Sequence, residues 1–166
     1  EQEKLKSEYR SNRPDLYKFF LKLKDQSKIS RKILINGPFA GMGTGDPDLY
    51  KAFCWRFFNL TNCDGSVGVV LPRSVFSTKG SWEFRKYVFE NSANIYLFNL
   101  KNKKHWVFNN VTEQYTVTLT SLNKNSGFSA KNQTEIYTTI ICNSYKELEK
   151  MQTSSLQKLS LKEIRT

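Results

Sequence analysis

The sequence predicts an α/β fold, and three observations carry that prediction. Residues 66–72, SVGVVLP, form a short continuous apolar run closed by proline, the pattern of a strand buried on both faces in a parallel sheet. Residues 80–92 then place Trp82, Phe84, Tyr87, Val88 and Phe89 in a helical segment, and residues 94–100, NIYLFNL, form a second apolar run. In TEQYTVTLTSL, Tyr115, Val117 and Leu119 alternate with Thr116, Thr118 and Thr120, the period of two expected of a strand. Helix and strand patterns that alternate along a chain indicate α/β architecture. The last two strands stand close enough in sequence to pair antiparallel.

The elements upstream follow from local signals. Residues 1–12 read as a weak, highly charged helix. Pro14 opens a second one, in which Leu16, Phe19, Phe20 and Leu23 fall at i, i+3, i+4 and i+7 on one face. Ile33 to Ile35 form a short apolar run, and a glycine-rich stretch from Gly37 through Gly41, Gly43 and Gly45 reads as a flexible connector. Asp46-Pro47 joins a capping acid to a first-turn proline and so starts a helix. That helix is expected to reach Leu60, with Leu49, Tyr50, Phe53, Phe57 and Leu60 as its apolar stripe. Residues 123–134 are a polar loop, residues 135–142 (EIYTTIIC) can form a further strand, and the tail from Tyr145 suggests one or two charged helices. The expected organisation is a basic helical segment and connector over 1–40, an α/β body over 41–122, and a polar loop with a helical tail over 123–166.

Composition narrows the function classes. With 39% apolar and 14% aromatic residues in 166, the chain is not a disordered segment. No run of about 18 apolar residues exists to span a membrane. Cys54, Cys63, Cys142 and the single His105 offer no zinc-ligand spacing, so no metal site is expected, and an odd cysteine count suits a reduced, cytoplasmic setting. Sequons at Asn59, Asn110 and Asn132 are about as many as 14 Asn and 28 Ser plus Thr give by chance, and are discounted. The chain opens on EQEKLKSEYR without an initiating Met or an apolar leader, which suggests a piece of a longer polypeptide. Its net charge of +11 is concentrated in residues 1–32, with ten basic and five acidic groups, and in residues 99–110, where Lys101, Lys103 and Lys104 meet no acid. Such a field favours a polyanion such as nucleic acid.

Single motifs add little. GPFAGMGTGD lacks the Gly-Lys-Ser/Thr ending of a P-loop and is not a clean G-x-G-x-x-G. The strand after it ends in Leu71-Pro72-Arg73 rather than in an acid for ribose hydroxyls. His105 has no nucleophile at a telling spacing and reads as a surface histidine beside three lysines.

The informative feature is an ordered set: GTGDPDLYKAFCWRFFNL, GSVGVVLPRSVFSTKG and WVFNNVTEQYTVTLT. Together, over about residues 41–122, they resemble the second half of the catalytic domain of DNA adenine-N6 methyltransferases, above all the type IIG and phage-defence modification methylases. The resemblance implies a partial S-adenosylmethionine-dependent methyltransferase sheet, Rossmann-like, with flanking helices. It makes DLYKAF similar to the family's motif V helix, with Phe53 against the cofactor's adenine ring and Leu49 one turn earlier. SVGVVLP resembles the fifth strand, and WVF resembles motif VIII, which makes Phe108 the candidate to stack on a base flipped out of DNA. Lys101, Lys103 and Lys104 would contact the DNA backbone. The family's catalytic signature, Asn or Asp followed by Pro, Pro and an aromatic, is absent; Asn36-Gly37-Pro38-Phe39 comes closest, with glycine for the first proline. The resemblance therefore places the catalytic residues upstream, in the N-terminal half of the methyltransferase domain of the same polypeptide, together with the remaining cofactor site, and leaves the reading of the DNA site to a separate target-recognition domain.

Two functions follow from different classes. One is half of a DNA adenine methyltransferase domain, inactive alone, that uses S-adenosylmethionine and serves restriction–modification or phage defence. The other is a non-enzymatic basic nucleic-acid-binding module, for which charge and aromatics are the whole story.

Overall fold

In the computed structural model of the protein, the residues described are 1–39, 41–42, 47–125, 134–151 and 156–160. They form two compact units, Glu1–Pro38 and Phe39–Thr166.

The first unit is a pair of helices, α1 (Gln2–Asn12) and α2 (Pro14–Asn36). Arg13 leaves helical geometry between them (φ −140°, ψ 67°), and Pro14 begins α2 where its missing N–H costs nothing. Ile33 to Ile35 belong to the end of α2. Neither helix buries a residue. The apolar face read from the sequence stays open, with Phe19 58% and Leu23 48% exposed.

Among the described residues, the second unit is a five-stranded mixed sheet with three α-helices. Its elements run α3 (Leu49–Leu60), β1 (Ser66–Pro72), α4 (Trp82–Asn91), β2 (Ser92–Lys101), β3 (Thr116–Lys124), β4 (Glu135–Thr138), α5 (Tyr145–Glu149) and β5 (Gln157–Ser160). The strand order is β1-β3-β2-β4-β5. β3 lies antiparallel between β1 and β2, so those two run the same way without touching. β4 pairs parallel with β2, and β5 pairs antiparallel with β4.

Register explains the core. Val67, Leu122, Ile95, Ile136 and Leu159 form one row across all five strands. On this face pack Cys54 and Phe58 from α3 and Phe84, Val88 and Phe89 from α4. Burial pushes the Cys54 thiol up to about 12, so it stays a neutral packing group.

The structure corrects three sequence expectations and adds which side of β3 meets the core. β1 is an edge strand paired only with β3, and it alternates in exposure, with Val67 at 6% and Val70 at 48%. Continuous apolarity does not require a doubly covered strand. In β3 the period is as expected, and the core side is the threonine side: Thr118 and Thr120 are buried at 0% and 3%. The Thr118 hydroxyl donates to Asn99 Oδ1 at 3.0 Å, which removes the cost of burying it. The connector is not loose at Gly41 and Met42. Gly41 has φ +76°, a Cβ there would sit 2.2 Å from the Phe84 backbone, and Met42 is buried at 2%. Gly43, Gly45 and the expected Asp46 cap lie outside the described residues. Finally, the tail supplies a strand, β5, where helices were expected; among its described residues, only the short α5 is helical. β4 and β5 thus join the same sheet as residues 41–122.

One face of the sheet is left thinly covered. Val70, Leu119 and Phe98 face each other across β1, β3 and β2 and line a shallow apolar cleft of about 450 Å³.

Candidate functional site

The residues singled out by the sequence fall in two places. Leu49 and Phe53 stand on α3, while Lys101, Lys103, Lys104 and Phe108 share the turn between β2 and β3.

α3 buries Ala52, Cys54 and Phe58 against the sheet, together with Lys51, whose Nζ lies 3.5 Å from Asp48 Oδ2. The stripe expected from the sequence is the other face. Leu49, Phe53, Phe57 and Leu60 are 61%, 56%, 45% and 67% exposed. Phe53 and Phe57 stack with centroids 6.0 Å apart and planes 26° from parallel. The result is a flat aromatic platform turned away from the helix's own core. Tyr50, half-buried beside it, has its phenol pushed up to about 12, chiefly by burial and then by the Asp48 carboxylate.

The β2–β3 turn is built around a residue the sequence reading did not single out. Asn102 is 1% exposed. Its Oδ1 accepts from the backbone N–H of Val107 (3.1 Å) and Phe108 (2.9 Å). Its Nδ2 donates to the carbonyls of Phe108 (2.9 Å) and Val111 (2.7 Å). One side chain therefore holds both backbone groups of Phe108, whose ring is left 39% exposed. The Trp106 indole N–H donates to the Lys101 carbonyl at 2.7 Å, and His105 Nδ1 lies 2.9 Å from the Val111 carbonyl. His105 thus serves the turn, and its Nε2 lies 3.7 Å from Glu113. Lys104 and His105 take left-handed φ values of 56° and 57°, which turns the chain sharply and leaves Lys101, Lys103 and Lys104 exposed. In sequence, Lys-Asn-Lys-Lys reads as a solvated basic run, and nothing in its pattern marks Asn102 as buried.

Both places lie toward one end of the sheet. Pro72 at the end of β1 aligns with Val117 at the start of β3 and, through it, with Leu100 at the end of β2. The far end of α3 is tied to the opposite end of the sheet, where Lys124 Nζ donates to the Thr61 carbonyl at 2.8 Å. At the near end, Tyr50 interacts with Ser81, beyond the end of β1. Open α/β sheets bind ligands outside the carboxyl ends of their strands, and that is where the Phe108 turn stands.

The same fold occurs within larger chains solved in complex with DNA. The solved structure described as "ATP-dependent Type ISP restriction-modification enzyme LlaBIII bound to DNA" matches 78% of this chain at 17% identity and a TM-score of 0.57. The DrdV–DNA complex solved by cryoEM matches 81% at 17% identity and a TM-score of 0.55. This chain spans 10% and 14% of those two chains. No protein-family model and no curated protein matches it. The likeness is one of fold. Among the described residues, no helix is long and apolar enough to cross a membrane, and no group of three or more His, Cys, Asp or Glu could hold a metal ion.

Proposed function

We propose that this chain is the C-terminal half of a DNA adenine-N6 methyltransferase domain, within a longer cytoplasmic restriction–modification or phage-defence polypeptide. The observation that carries the reading is the exposed stripe on α3. A self-contained binding module would turn Leu49, Phe53, Phe57 and Leu60 inward; here the helix packs by its other face and presents four large apolar side chains outward. A missing half of the domain, with S-adenosylmethionine between, accounts for that stripe, for the open edge of β1 and for the thinly covered sheet face. A non-enzymatic basic module accounts for the lysine turn but for none of these.

The donor set fits the cofactor. The exposed Phe53 ring offers a π face to an adenine, and Leu49 supplies an apolar contact one turn earlier on the same side. When bound, S-adenosylmethionine supplies an electrophilic methyl group. This chain's own residues bind and orient: Phe53 walls the cofactor, Phe108 stacks on an extruded adenine, and Lys101, Lys103 and Lys104 neutralise nearby phosphates. The groups that polarise the adenine amino group belong to the upstream half, in the Asn-Pro-Pro-aromatic signature. The likeness in fold to DNA-bound restriction–modification enzymes supports DNA as the partner.

Calorimetry on the whole polypeptide tests the cofactor assignment. Phe53→Ala is expected to weaken S-adenosylmethionine binding by about 1–3 kcal/mol, the scale of a lost aromatic stack. Because Phe53 is more than half exposed, the variant should keep the wild-type fold. Unchanged affinity in a folded variant would remove Phe53 from the site.

A further inference from the structure

A second feature stands at the same end of the sheet as Phe108. Between the turn that follows β1 and the segment that leads into β3 lies a cleft of about 540 Å³. One wall carries Arg73, Ser74 and Ser77; the other carries Thr112, Gln114 and Thr116. Among the described residues, no acidic one lines it. Arg73 is exposed and, among the described residues, its guanidinium makes neither a hydrogen bond nor an ion pair. The cleft therefore combines one uncommitted guanidinium with hydroxyl and amide groups, a set that suits an anion with several acceptor oxygens.

Its position narrows the choice of anion. Thr116 is the register partner of Lys101, and Pro72, next to Arg73, lies in the adjacent row with Val117 and Leu100. Arg73 is thus two strand spacings, about 10 Å, from the base of the lysine turn. The far wall is continuous with the Phe108 turn, because the Asn102 backbone N–H donates to the Tyr115 carbonyl at 3.0 Å and the Tyr115 N–H to the Thr112 carbonyl at 3.1 Å. The cleft, the lysines and the exposed Phe108 ring form one rim on one framework.

We propose that this cleft holds a phosphodiester of the DNA strand whose base meets Phe108, with Arg73 as the fork that grips it. The phosphate lies beside the extruded nucleotide and fixes its register against the turn. Arg73 contributes positioning and affinity without reading sequence, as backbone contacts do. This inference rests on the proposed role of DNA as partner, and adds a site distinct from the lysine turn.

The test is direct binding of the whole polypeptide to a labelled duplex over a series of salt concentrations, with Arg73→Gln and Arg73→Lys. Arg73→Gln is expected to weaken binding about tenfold on every sequence and to lower the salt slope by about one. Arg73→Lys keeps the charge and loses the fork, so it should keep the slope and recover part of the affinity. Neutral methylphosphonate linkages walked along the strand locate the phosphate. At one position the substitution should weaken the wild type and leave Arg73→Gln unaffected. Wild-type affinity and slope in Arg73→Gln, on a protein that binds DNA, would overturn the cleft and leave the methyltransferase reading intact. A wild-type protein that binds DNA but transfers no methyl group would sink that reading and leave the cleft standing. A protein that binds no DNA would overturn both.

Discussion

Residues 1–166 expressed alone are expected to self-associate, and to become a discrete monomeric body only when joined to the upstream half of the domain. Three surfaces drive the association. Among the described residues, β1 has no strand partner on its outer side, and unpaired strand edges pair with other chains. Val70, Leu119 and Phe98 form an apolar row on the thinly covered sheet face. Leu49, Phe53, Phe57 and Leu60 add an exposed stripe on α3. Each fully buried side chain of this kind is worth about 1.5–3 kcal/mol, and contiguous exposed apolar area marks an interface. Sedimentation should show dimers or larger species at micromolar concentration. Val70→Lys should shift association to about tenfold higher concentration, by placing a charge on the open edge strand. A stable monomer with a sharp cooperative melt would show that these surfaces need no cover.

Asn102→Ala should release the β2–β3 turn. The substitution removes two donors and one doubly used acceptor and leaves the N–H groups of Val107 and Phe108 and the carbonyls of Phe108 and Val111 without that partner. Each unsatisfied buried group costs about 1–3 kcal/mol. Water reaches part of this turn and offsets some of the loss, so the net effect is expected at about 2–4 kcal/mol. Hydrogen exchange on the whole polypeptide reads it locally. Amides of residues 105–111 should exchange about 30-fold to 1,000-fold faster, while those of β3 beyond Thr118 stay protected. Asn102→Asp keeps the acceptors and loses the donors, and should fall between. Equal protection in wild type and Asn102→Ala would mean that the backbone alone sets the turn.

The helices and strands from residue 49 to residue 124 were legible because each carries a long enough period or apolar run. What the sequence did not convey was which side of each element meets the core. On α3 the largest apolar residues pointed to the stripe through Phe53, yet the helix packs by Ala52, Cys54 and Phe58 and reserves that stripe for another surface. Along β3 the alternation left both sides open, and the threonine side meets the core because a hydroxyl satisfied by Asn99 is cheap to bury and the β-branched side chain packs well. β5 is four residues, Gln157–Ser160, too short and too polar to show a period. Asn102 was hidden for a different reason. Its role is a set of hydrogen bonds to a folded turn, and residue type alone does not announce such bonds. Phe108, Lys101, Lys103 and Lys104 stand out in the sequence by aromaticity and charge; Asn102, which holds their turn, does not.

The central claim is that this chain forms the base-facing side of an adenine methyltransferase, and methyl transfer by the whole polypeptide tests it most directly. The assay measures N6-methyladenine formed from labelled S-adenosylmethionine on matched duplexes and on duplexes with a mismatch opposite the target adenine. The wild type should methylate both. Phe108→Ala should lose most turnover on the matched duplex while binding it nearly as well, because the ring acts only once the base has left the helix. The mismatch lowers the cost of extrusion by a few kcal/mol and should partly rescue the variant. Absence of N6-methyladenine with the wild type, or equal wild-type rates for Phe108→Ala on both duplexes, would contradict the account.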